Sequence, residues 1–503
     1  MSIALIITAV IVAAAVIIGF ASRGRTQMDL EEWTVAGRQY GGVLLWVLGA
    51  GEIYTTFTFL GAAGYGYAKG GPVFYILGYG ALAYIISFFL LPPLWRYAKR
   101  HGLFTQADYF TSRFGSRWLG VLAAVIGVVF VVPYGTLQLE GLGDIVTTVT
   151  GGKVSSAAAM IVAFGLAALF VLASGLRAAA WTSVLKDALL IIAVLILGIG
   201  LPLKYFGSYS GLISAVNHAH PHALALPGSS GVLGVPWMIS TLLLTSMGFY
   251  MYPHAFMATY SARSTKAIRR NATFLPFYQI LLLLMFYVGF TALLIVPGLT
   301  GSKTNFALLD LVKKGEPSWI LGLVGGAGAL AAIVPGAAIV LAAATLVGRN
   351  IYRDVIRPQA SDRSVLGVSR AFVLIIMAAS LYIAIASPGL IVNLLLTAYD
   401  GVTQFFPAIA LSLVWRRTSK TGVAAGLVVG VGLVLYLVIG GHDPIWGLNA
   451  GIVALAANAL VTVAGSLLLP GRASREVMAA YAPGGADAAV PQAVAAREDT
   501  ATP

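Results

Sequence analysis

The sequence has no cysteine and few charged residues. Asp, Glu, Lys and Arg make up 10% of the 503 residues, whereas soluble domains carry roughly 25%. The absence of cysteine excludes disulfide bonds and thiolate metal sites, and the six histidines show none of the spacings of a zinc site. Because 59% of the residues are hydrophobic and the mean hydropathy is +0.90, most of the chain is expected to face lipid.

The net charge of +13 does not indicate nucleic-acid binding. The basic residues fall in short segments between long apolar runs, and this distribution is typical of multi-pass membrane proteins. The lipid bilayer is therefore the expected surrounding, and neither a nucleic acid nor a cofactor is expected as a partner.

The apolar runs predict an all-α integral membrane protein. About 20 apolar residues cross a bilayer as an α-helix, because backbone polar groups in hydrocarbon must be satisfied within the chain. The first run lacks the preceding positive charge of a signal peptide, so we expect it to be a retained helix. The thirteen predicted transmembrane helices lie at 3–20, 42–68, 72–97, 119–149, 155–174, 179–205, 236–262, 272–298, 319–346, 365–386, 388–415, 420–440 and 444–469.

The distribution of Lys and Arg predicts the orientation. With the N-terminus outside, 25 of the 31 basic residues, Lys186 among them, lie in segments predicted to be cytoplasmic, and the other 6 lie outside. Cytoplasmic loops of membrane proteins carry such an excess of positive charge. The N-terminus is therefore expected outside and the C-terminus in the cytoplasm.

A single glutamate, Glu52, stands inside an apolar span, in the stretch GAGEIYTTFTFLG at 49–61. Glycines before it weaken a helix, and the hydroxyl groups of Tyr54, Thr55 and Thr56 after it are suited to satisfy freed backbone groups. A broken helix is tolerated at membrane depth only where it lines a cavity or is buried in protein. Since ionisable residues there mark functional sites, Glu52 is predicted to belong to a site rather than to be a structural carboxylate.

Four further acidic residues lie inside or near predicted spans. Glu140 and Asp144 are four residues apart and are interpreted as a solvated face of an outer vestibule. Asp187 is interpreted as part of a cytoplasmic helix start beside Lys186. Asp400 lies in the middle of a span, and the sequence leaves its role open.

A second interruption, TSMGFYMYPHAF at 245–256, lies in the seventh span, five spans after the first one. Paired interruptions in matching positions are typical of transporters built from inverted repeats. The predicted organisation begins with a first transmembrane helix and cytoplasmic linker at 1–40. Two inverted repeats follow, spans 2–6 at 41–205 and spans 7–11 at 236–415, and an extracellular loop at 206–235 separates them. Two peripheral spans at 416–469 and a disordered cytoplasmic tail at 470–503 come last.

Several motifs, taken in order along nearly all of 1–470, resemble the sodium:solute symporter family. They are TQADYFTSRFGSR, Gln138 in YGTLQLEGLG, SGLRAAAWTSVLKD, YPHAFMATYSARSTKAIRRN and NIYRDVIRP. The resemblance implies a LeuT-like fold with a five-plus-five inverted repeat and alternating access. Within the family, GEIYTTFTFLG together with MYPH and RRNATFLP is similar to bacterial monocarboxylate permeases, which implies lactate or pyruvate as substrates and a location in the bacterial inner (plasma) membrane.

One departure from the family pattern concerns the coupling ion. The resemblance implies adjacent hydroxyl residues in the ninth span, which would ligate sodium together with carbonyls of the broken second span. Here that segment reads LAAIVPGAAIVLAAAT at 330–345, with Pro335 and Gly336 in place of the hydroxyl residues and only Thr345 further on. Sodium is a hard cation that needs oxygen ligands, so the usual sodium site is expected to be missing.

These observations lead to the hypothesis of proton–monocarboxylate symport. The predicted span interiors are taken to offer no Lys or Arg to a carboxylate anion, so helix N-termini at the breaks are expected to supply partial positive charge. A protonated Glu52 would tolerate the anion and carry the coupled proton. The pocket is expected to be lined by Tyr54, Thr55, Thr56, Gln138, Tyr250, Tyr252, His254 and Gln404.

Three alternatives stay open from the sequence. The first is sodium-coupled uptake of another small solute, such as acetate or an amino acid, with Glu52 and carbonyls near Gly51 and Tyr54 as ligands. The second is a membrane sensor, and the third is an integral-membrane enzyme. The tail resembles no signalling domain, and the sequence shows neither a GxSxG motif nor a metal-binding spacing, so both of these are less favoured.

If Glu52 carries the proton, the substitution Glu52→Gln abolishes the pH dependence of lactate or pyruvate uptake, because an amide does not titrate. Uptake into liposomes that contain the purified variant, measured across a series of external pH values, checks this. A pH profile equal to that of the wild type would contradict it.

Overall fold

The computed structural model of the protein describes residues 2–22, 30–35, 40 and 42–471. Within this part, the chain is helical throughout and contains no β-strand, as the sequence predicts. Two isolated β-bridges occur, one between Tyr40 and Ala262 and one between Ile445 and Leu448. All but two residues of the predicted tail lie outside the described part.

Twenty α-helices make up the described bundle. Those of the first half are α1 (Ile3–Ser22), α2 (Leu30–Val35), α3 (Gly42–Ile53), α4 (Ala62–Lys69), α5 (Tyr75–Arg100), α6 (Gln106–Phe114), α7 (Arg117–Val149), α8 (Ser156–Phe206) and α9 (Tyr209–Ala219). Those of the second half are α10 (Val235–Gly248), α11 (Pro253–Tyr260), α12 (Thr265–Ile280), α13 (Leu282–Ile295), α14 (Ala307–Gly315), α15 (Ser318–Leu346), α16 (Asp362–Ala386), α17 (Ile391–Val402), α18 (Phe405–Val414), α19 (Lys420–Val434) and α20 (Ala450–Leu468).

Each predicted span overlaps one of these helices or a pair of them. By length and apolarity, nine helical stretches of the described chain are able to cross a membrane, or ten if the bent pair α17 and α18 is one span. The two halves of the spans at 42–68 and 236–262 are each too short to be counted in this way. The thirteen crossings and the exact repeat pattern therefore stay predictions.

Helix α8 joins two predicted spans, 155–174 and 179–205, in one continuous stretch. Its only non-helical residue is Gly175, with φ 59° and ψ −158°. A side chain at this position would meet Trp33 of α2, since a Cβ atom would lie 2.8 Å from Trp33 Cδ1. Glycine is therefore required by both the backbone conformation and the close approach of α2.

The spans at 42–68 and 236–262 are both broken, as the sequence predicts. The first leaves α-helical geometry after Ile53 and continues through a π-helical turn, Phe57–Gly61, into α4. The second is interrupted between Gly248 and Pro253, where proline begins α11 and needs no hydrogen bond for its nitrogen.

The two broken spans meet at one end of the bundle. Tyr40, just before α3, accepts a backbone hydrogen bond from Arg263 at 3.0 Å and donates one to Ser261 at 3.2 Å. Because α3 leads away from this end and α11 leads toward it, the two half-helices run in opposite directions. This arrangement is consistent with an inverted repeat.

Helix α15 forms the centre of the bundle and is fully buried along its most apolar stretch. It packs against α1, α7 and α8. Small residues permit this close packing. Added Cβ atoms at Gly322, Gly325 and Gly326 would come within 2.5 to 2.8 Å of atoms of α1.

A polar network ties together the basic loops at the end where Tyr40 meets Ala262. Asp108 of α6 accepts hydrogen bonds from Arg349 at 2.9 Å and from Asn350 at 2.7 Å. It also forms a capping box with Thr105, which in turn donates to Asn350 at 2.7 Å. The network therefore links the start of α6 to the π-helical segment Val347–Ile356 that follows α15.

The substitution Asp108→Ala is expected to destabilise the protein by about 2–4 kcal/mol, because it removes both a helix cap and a largely buried ion pair. Thermal unfolding in detergent measures this as a lower Tm. Asp362→Ala is the matched control, since its ion pair with Arg353 is exposed and is expected to contribute about 0–1 kcal/mol. Equal shifts in Tm for the two variants would contradict the assignment.

Candidate functional site

Hydroxyl groups satisfy the backbone at the first break. The Thr55 carbonyl accepts hydrogen bonds from Phe59 N at 3.1 Å and Thr58 N at 3.2 Å. The Thr58 hydroxyl donates to the same carbonyl at 3.0 Å and accepts from Thr55 N at 3.0 Å. The Thr55 hydroxyl accepts from Phe57 N at 3.1 Å. Thr55 and Thr58 therefore hold the backbone of the break.

Thr56 connects the first break to α7. Its hydroxyl donates to the side-chain oxygen of Gln138 at 2.7 Å, and both residues are buried. The helices approach closely here, since a Cβ atom added at Gly141 would lie 1.8 Å from Thr56 Cγ2. The structure thus brings together two residues that the sequence places in one pocket.

Aromatic rings surround the second break. The Tyr252 ring lies 5.2 Å from Tyr134 of α7, 5.3 Å from His254 and 5.2 Å from Tyr399 of α17, measured between centroids. Tyr134 also lies 5.7 Å from His254. Tyr134 precedes Gln138 by one helical turn on the same face of α7, so this aromatic cluster is continuous with the Gln138–Thr56 contact.

Three buried polar atoms around Tyr134 have no hydrogen-bond partner within the described part of the protein. They are Gln138 Nε2, the Tyr252 hydroxyl and His254 Nδ1. Buried polar groups are normally hydrogen-bonded. These unpaired groups are therefore candidates to bind a polar solute.

Tyr250 lies on the other side of the second break. It is buried against Phe249, whose ring centroid is 4.9 Å away. Together with Leu45 and Gly49 of α3 and residues of α5, α11 and α12, it lines a small cleft. Since α3 and α11 lead from the breaks to the basic end of the bundle, this cleft lies between the site and that end.

Lys186 lies at the first break, contrary to the prediction from the sequence. The charge distribution predicts Lys186 in a cytoplasmic segment and no lysine in the span interiors. In the structure, Lys186 of α8 is 0% exposed, and its ammonium group donates to the carbonyl of Tyr54 at 3.0 Å. It also forms an ion pair with Asp187 at 3.0 Å. The signal in the sequence was an ionisable pair within the otherwise apolar run after Ala178.

Tyr278 of α12 completes the surroundings of Tyr54. The two rings lie 4.5 Å apart, and the Tyr54 hydroxyl donates to the Tyr278 carbonyl at 3.4 Å. Nothing in its own stretch of sequence marks Tyr278, because it lies in a helix with a basic and aromatic face. Only the contact between α12 and α3 places Tyr278 beside the first break.

Helix α15 brings no hydroxyl pair to this region. Its hydroxyl residues are Ser318 in its first turn and Thr345 near its end. Thr345 donates to the Leu341 carbonyl of its own helix at 2.8 Å. Gly336 faces Gln138, since a Cβ atom there would lie 3.6 Å from Gln138 Cβ. The structure therefore offers sodium no pair of hydroxyl ligands on α15.

Gln404 is not part of the same cluster. Its amide donates to the carbonyls of Asp400 at 3.0 Å and Gly451 at 3.3 Å and accepts from Asn458 at 3.1 Å. These bonds join α17 to the peripheral helix α20. Gln404, although close to the bend between α17 and α18, thus forms its hydrogen bonds on the side of the span that faces α20.

The remaining acidic residues are more buried than the sequence suggests. Glu140 and Asp144 are 2% and 6% exposed, so the predicted solvated face is wrong. Glu140 instead accepts a hydrogen bond from the backbone nitrogen of Gly389 at 3.2 Å. Asp400 is also buried, at 1% exposure. Outside the spans, burial raises the pKa of Asp310 above its usual value.

Two predicted ion-coupling residues, Gly51 and Glu52, have a described backbone in the last turn of α3. The side chain of Glu52 lies outside the described part of the structure. Their roles therefore stay predictions, while Tyr54 is placed beside Lys186.

Comparison with known proteins identifies the family. A profile of the sodium:solute symporter family matches residues 33–430. The chain belongs to the sodium:solute symporter family. It is thus a membrane transporter of solutes and not an enzyme, and the resemblance drawn from the motifs is confirmed.

Several relatives cover nearly the whole symporter. The uncharacterized symporter YhjB of Bacillus subtilis is 42% identical over 479 residues, which are 93% of this chain and 97% of the relative. The uncharacterized symporter YodF of the same organism is 35% identical and covers 90% of this chain and 92% of its own. A monocarboxylate transport permease protein of Rhizobium johnstonii is 30% identical, covering 91% and 95%.

Solved structures show the same fold as this symporter. A Na⁺-coupled sialic acid symporter in its outward-open state matches with a TM-score of 0.78 at 15% identity, over 94% of this chain and 99% of its own. A nucleobase-cation-symport-1 family transporter in a closed conformation matches with a TM-score of 0.57 at 16% identity, over 89% and 97%. The LeuT-like fold class is therefore supported.

The substitution Gln138→Leu removes the buried amide beside Thr56 and is expected to raise the KM for the transported solute up to about tenfold, since a hydrogen bond contributes about 0.5–1.5 kcal/mol. Initial uptake rates over a range of solute concentrations measure this. Asn458→Leu is the matched control, because that buried amide lies on the peripheral helix α20 and bonds to Gln404. An equal KM for wild type and Gln138→Leu would contradict the prediction.

Proposed function

We propose that the protein imports short-chain monocarboxylates, such as lactate and pyruvate, by symport with protons across a bacterial inner membrane. The observation that carries the proposal is the group of three buried, unpartnered polar atoms around Tyr134. The amide of Gln138, the hydroxyl of Tyr252 and the imidazole of His254 are the groups that we propose to bind the small anion.

These groups suit a single carboxylate. An amide N–H and a phenol O–H are neutral donors, and hydrogen bonds to a charged acceptor are roughly twice as strong as neutral ones. The surrounding rings of Tyr134 and Tyr399 offer an apolar contact for a short carbon chain. The relative named as a monocarboxylate transport permease supports the same substrate class.

The proposed coupling ion is the proton, because the usual sodium ligands are missing. Sodium prefers several oxygen ligands, and α15 presents Pro335 and Gly336 where the family resemblance implies hydroxyl residues. The remaining hydroxyl of that stretch, Thr345, lies nine residues after Gly336, which is about 14 Å further along the helix axis.

Sodium-coupled uptake of a small solute is the second candidate. Its support is the similarity of fold to a Na⁺-coupled symporter, together with the carbonyls that a broken span offers near Gly51 and Tyr54. It requires a cation at a place where the structure already has the ammonium group of Lys186.

The test uses purified protein in liposomes with labelled lactate or pyruvate. Under an inward proton gradient without sodium, the acid is expected to accumulate, and a protonophore is expected to abolish accumulation. Liposomes without protein are the control. Uptake that depends on sodium and is indifferent to the protonophore would establish the second candidate instead, and transport of neither acid under either gradient would refute the substrate class.

A further inference from the structure

The geometry points to Lys186 as the group that takes up and releases the coupled proton, with its ammonium form in the place of a metal cation at the first break. This inference rests on the proposed proton symport and names the residue that performs the coupling. It depends on the position of Lys186, on its contacts and on the character of the helices around it.

Lys186 lies deep in the membrane-spanning part of the bundle. It follows Gly175 by eleven residues of α8, which is about 16 Å along a helix axis. Gly175 itself contacts Trp33 at the basic end. The twelve residues of α3 that lead from the same end to the break have a similar length of about 18 Å. Both measures place the contact near the middle of a hydrocarbon core about 30 Å thick.

The ammonium group binds where a broken span offers its carbonyl. In an intact helix the Tyr54 carbonyl would accept from a backbone N–H, whereas here it accepts from Lys186 at 3.0 Å. Unwound carbonyls of broken spans are the usual ligands of coupling ions in such transporters. A protonated lysine therefore supplies the positive charge that an ion would otherwise bring, and it does so without leaving the chain.

Titratable groups around Lys186 come from few helices. Asp187 on its own helix pairs with it at 3.0 Å. Tyr54 faces it from the break, Tyr278 packs on Tyr54 from α12, and Glu52 belongs to the last turn of α3.

Of the other helices packed on α8, α16 carries Asp362, Arg363, Arg370 and Tyr382, and Asp362 pairs with Arg353. The sequences of α1 and α15 contain none at all. The acidic residues of α7, Glu140 and Asp144, lie two to three turns along their helix from Tyr134, and Glu140 bonds to Gly389. In α2, Glu32 pairs with Arg177 at 2.7 Å, and α13 contributes Tyr287, which stacks on Tyr209 of α9. Beside the Tyr54 carbonyl, Lys186 and Asp187 form an acid–base pair.

Protonation of this lysine then couples to the movement of the broken span. With the proton on, the ammonium group holds the Tyr54 carbonyl to α8 and balances Asp187. With the proton released to water on the inner side, the neutral amine keeps only a weak hydrogen bond, and the first break is free to separate from α8. The proton enters from outer water as the amine is recharged, so one proton crosses in each cycle and no other reactant is needed.

The test compares Lys186→Met and Lys186→Arg with Lys204→Met in the liposome assay. Lys204 is on the same helix, is exposed and pairs with Glu316, so its replacement serves as the matched control. Two readouts are measured, accumulation under an inward proton gradient and exchange of labelled for unlabelled acid at equal pH on both sides. Exchange needs binding and reorientation of the loaded protein but no net proton transfer.

Lys186→Arg is expected to retain exchange and to lose accumulation to the level of empty liposomes, because guanidinium keeps the charge but does not release a proton. Lys186→Met is expected to lose accumulation as well, and Lys204→Met is expected to equal the wild type. If Lys186→Met does not fold, Lys186→Arg decides alone. Accumulation by Lys186→Arg equal to that of Lys204→Met would overturn the inference.

Further measurements distinguish this inference from Glu52 as the proton carrier and from failure of the proposed function. Asp187→Asn is expected to move the pH of half-maximal uptake downward, because the amine loses the carboxylate that favours its charged form. If Glu52→Gln abolishes the proton dependence while both Lys186 variants retain it, Glu52 is the carrier and the inference fails. If the wild type shows no proton-driven uptake of either acid, the proposed function itself fails.

Discussion

The structure depends on one constraint, which is that polar groups at membrane depth must find partners inside the protein. The first break exposes the carbonyls of Tyr54 and Thr55. Thr55 is satisfied locally by Thr58 and by backbone nitrogens. Tyr54 has no such local donor, and its partner is the ammonium group of Lys186 on another helix. The break and α8 are thus tied together by the group that also balances Asp187.

A helix of small residues makes this arrangement possible. Glycine and alanine on α15 let α1, α7 and α8 approach closely around one fully buried helix. The same composition removes hydroxyl groups from the face where related proteins are expected to bind sodium. Close packing and the absence of hydroxyl residues at this face therefore have one origin in the sequence, and in the proposed mechanism Lys186 supplies the positive charge.

Part of the site was predictable from local sequence. Glycines, hydroxyl residues and a proline mark both breaks, and the pairing of Thr56 with Gln138 and the cluster around Tyr252 and His254 follow the predicted pocket. Gln404 was misleading, because proximity to a bend does not tell which side of the span a side chain faces. Lys186 was missed because a charge near a helix start is usually at the membrane surface, and only the position of Gly175 shows how deep it lies.

The sequence by itself determined the helical membrane class, the family and the two broken spans, because hydropathy, motif order and glycine or proline are properties of short stretches of chain. The tertiary structure decided which side chains meet. Tyr134, Tyr278 and Tyr399 join the site, Glu140 and Asp144 are buried, and Lys186 reaches Tyr54. These contacts depend on how helices more than a hundred residues apart are rotated against one another, and no local pattern encodes that rotation.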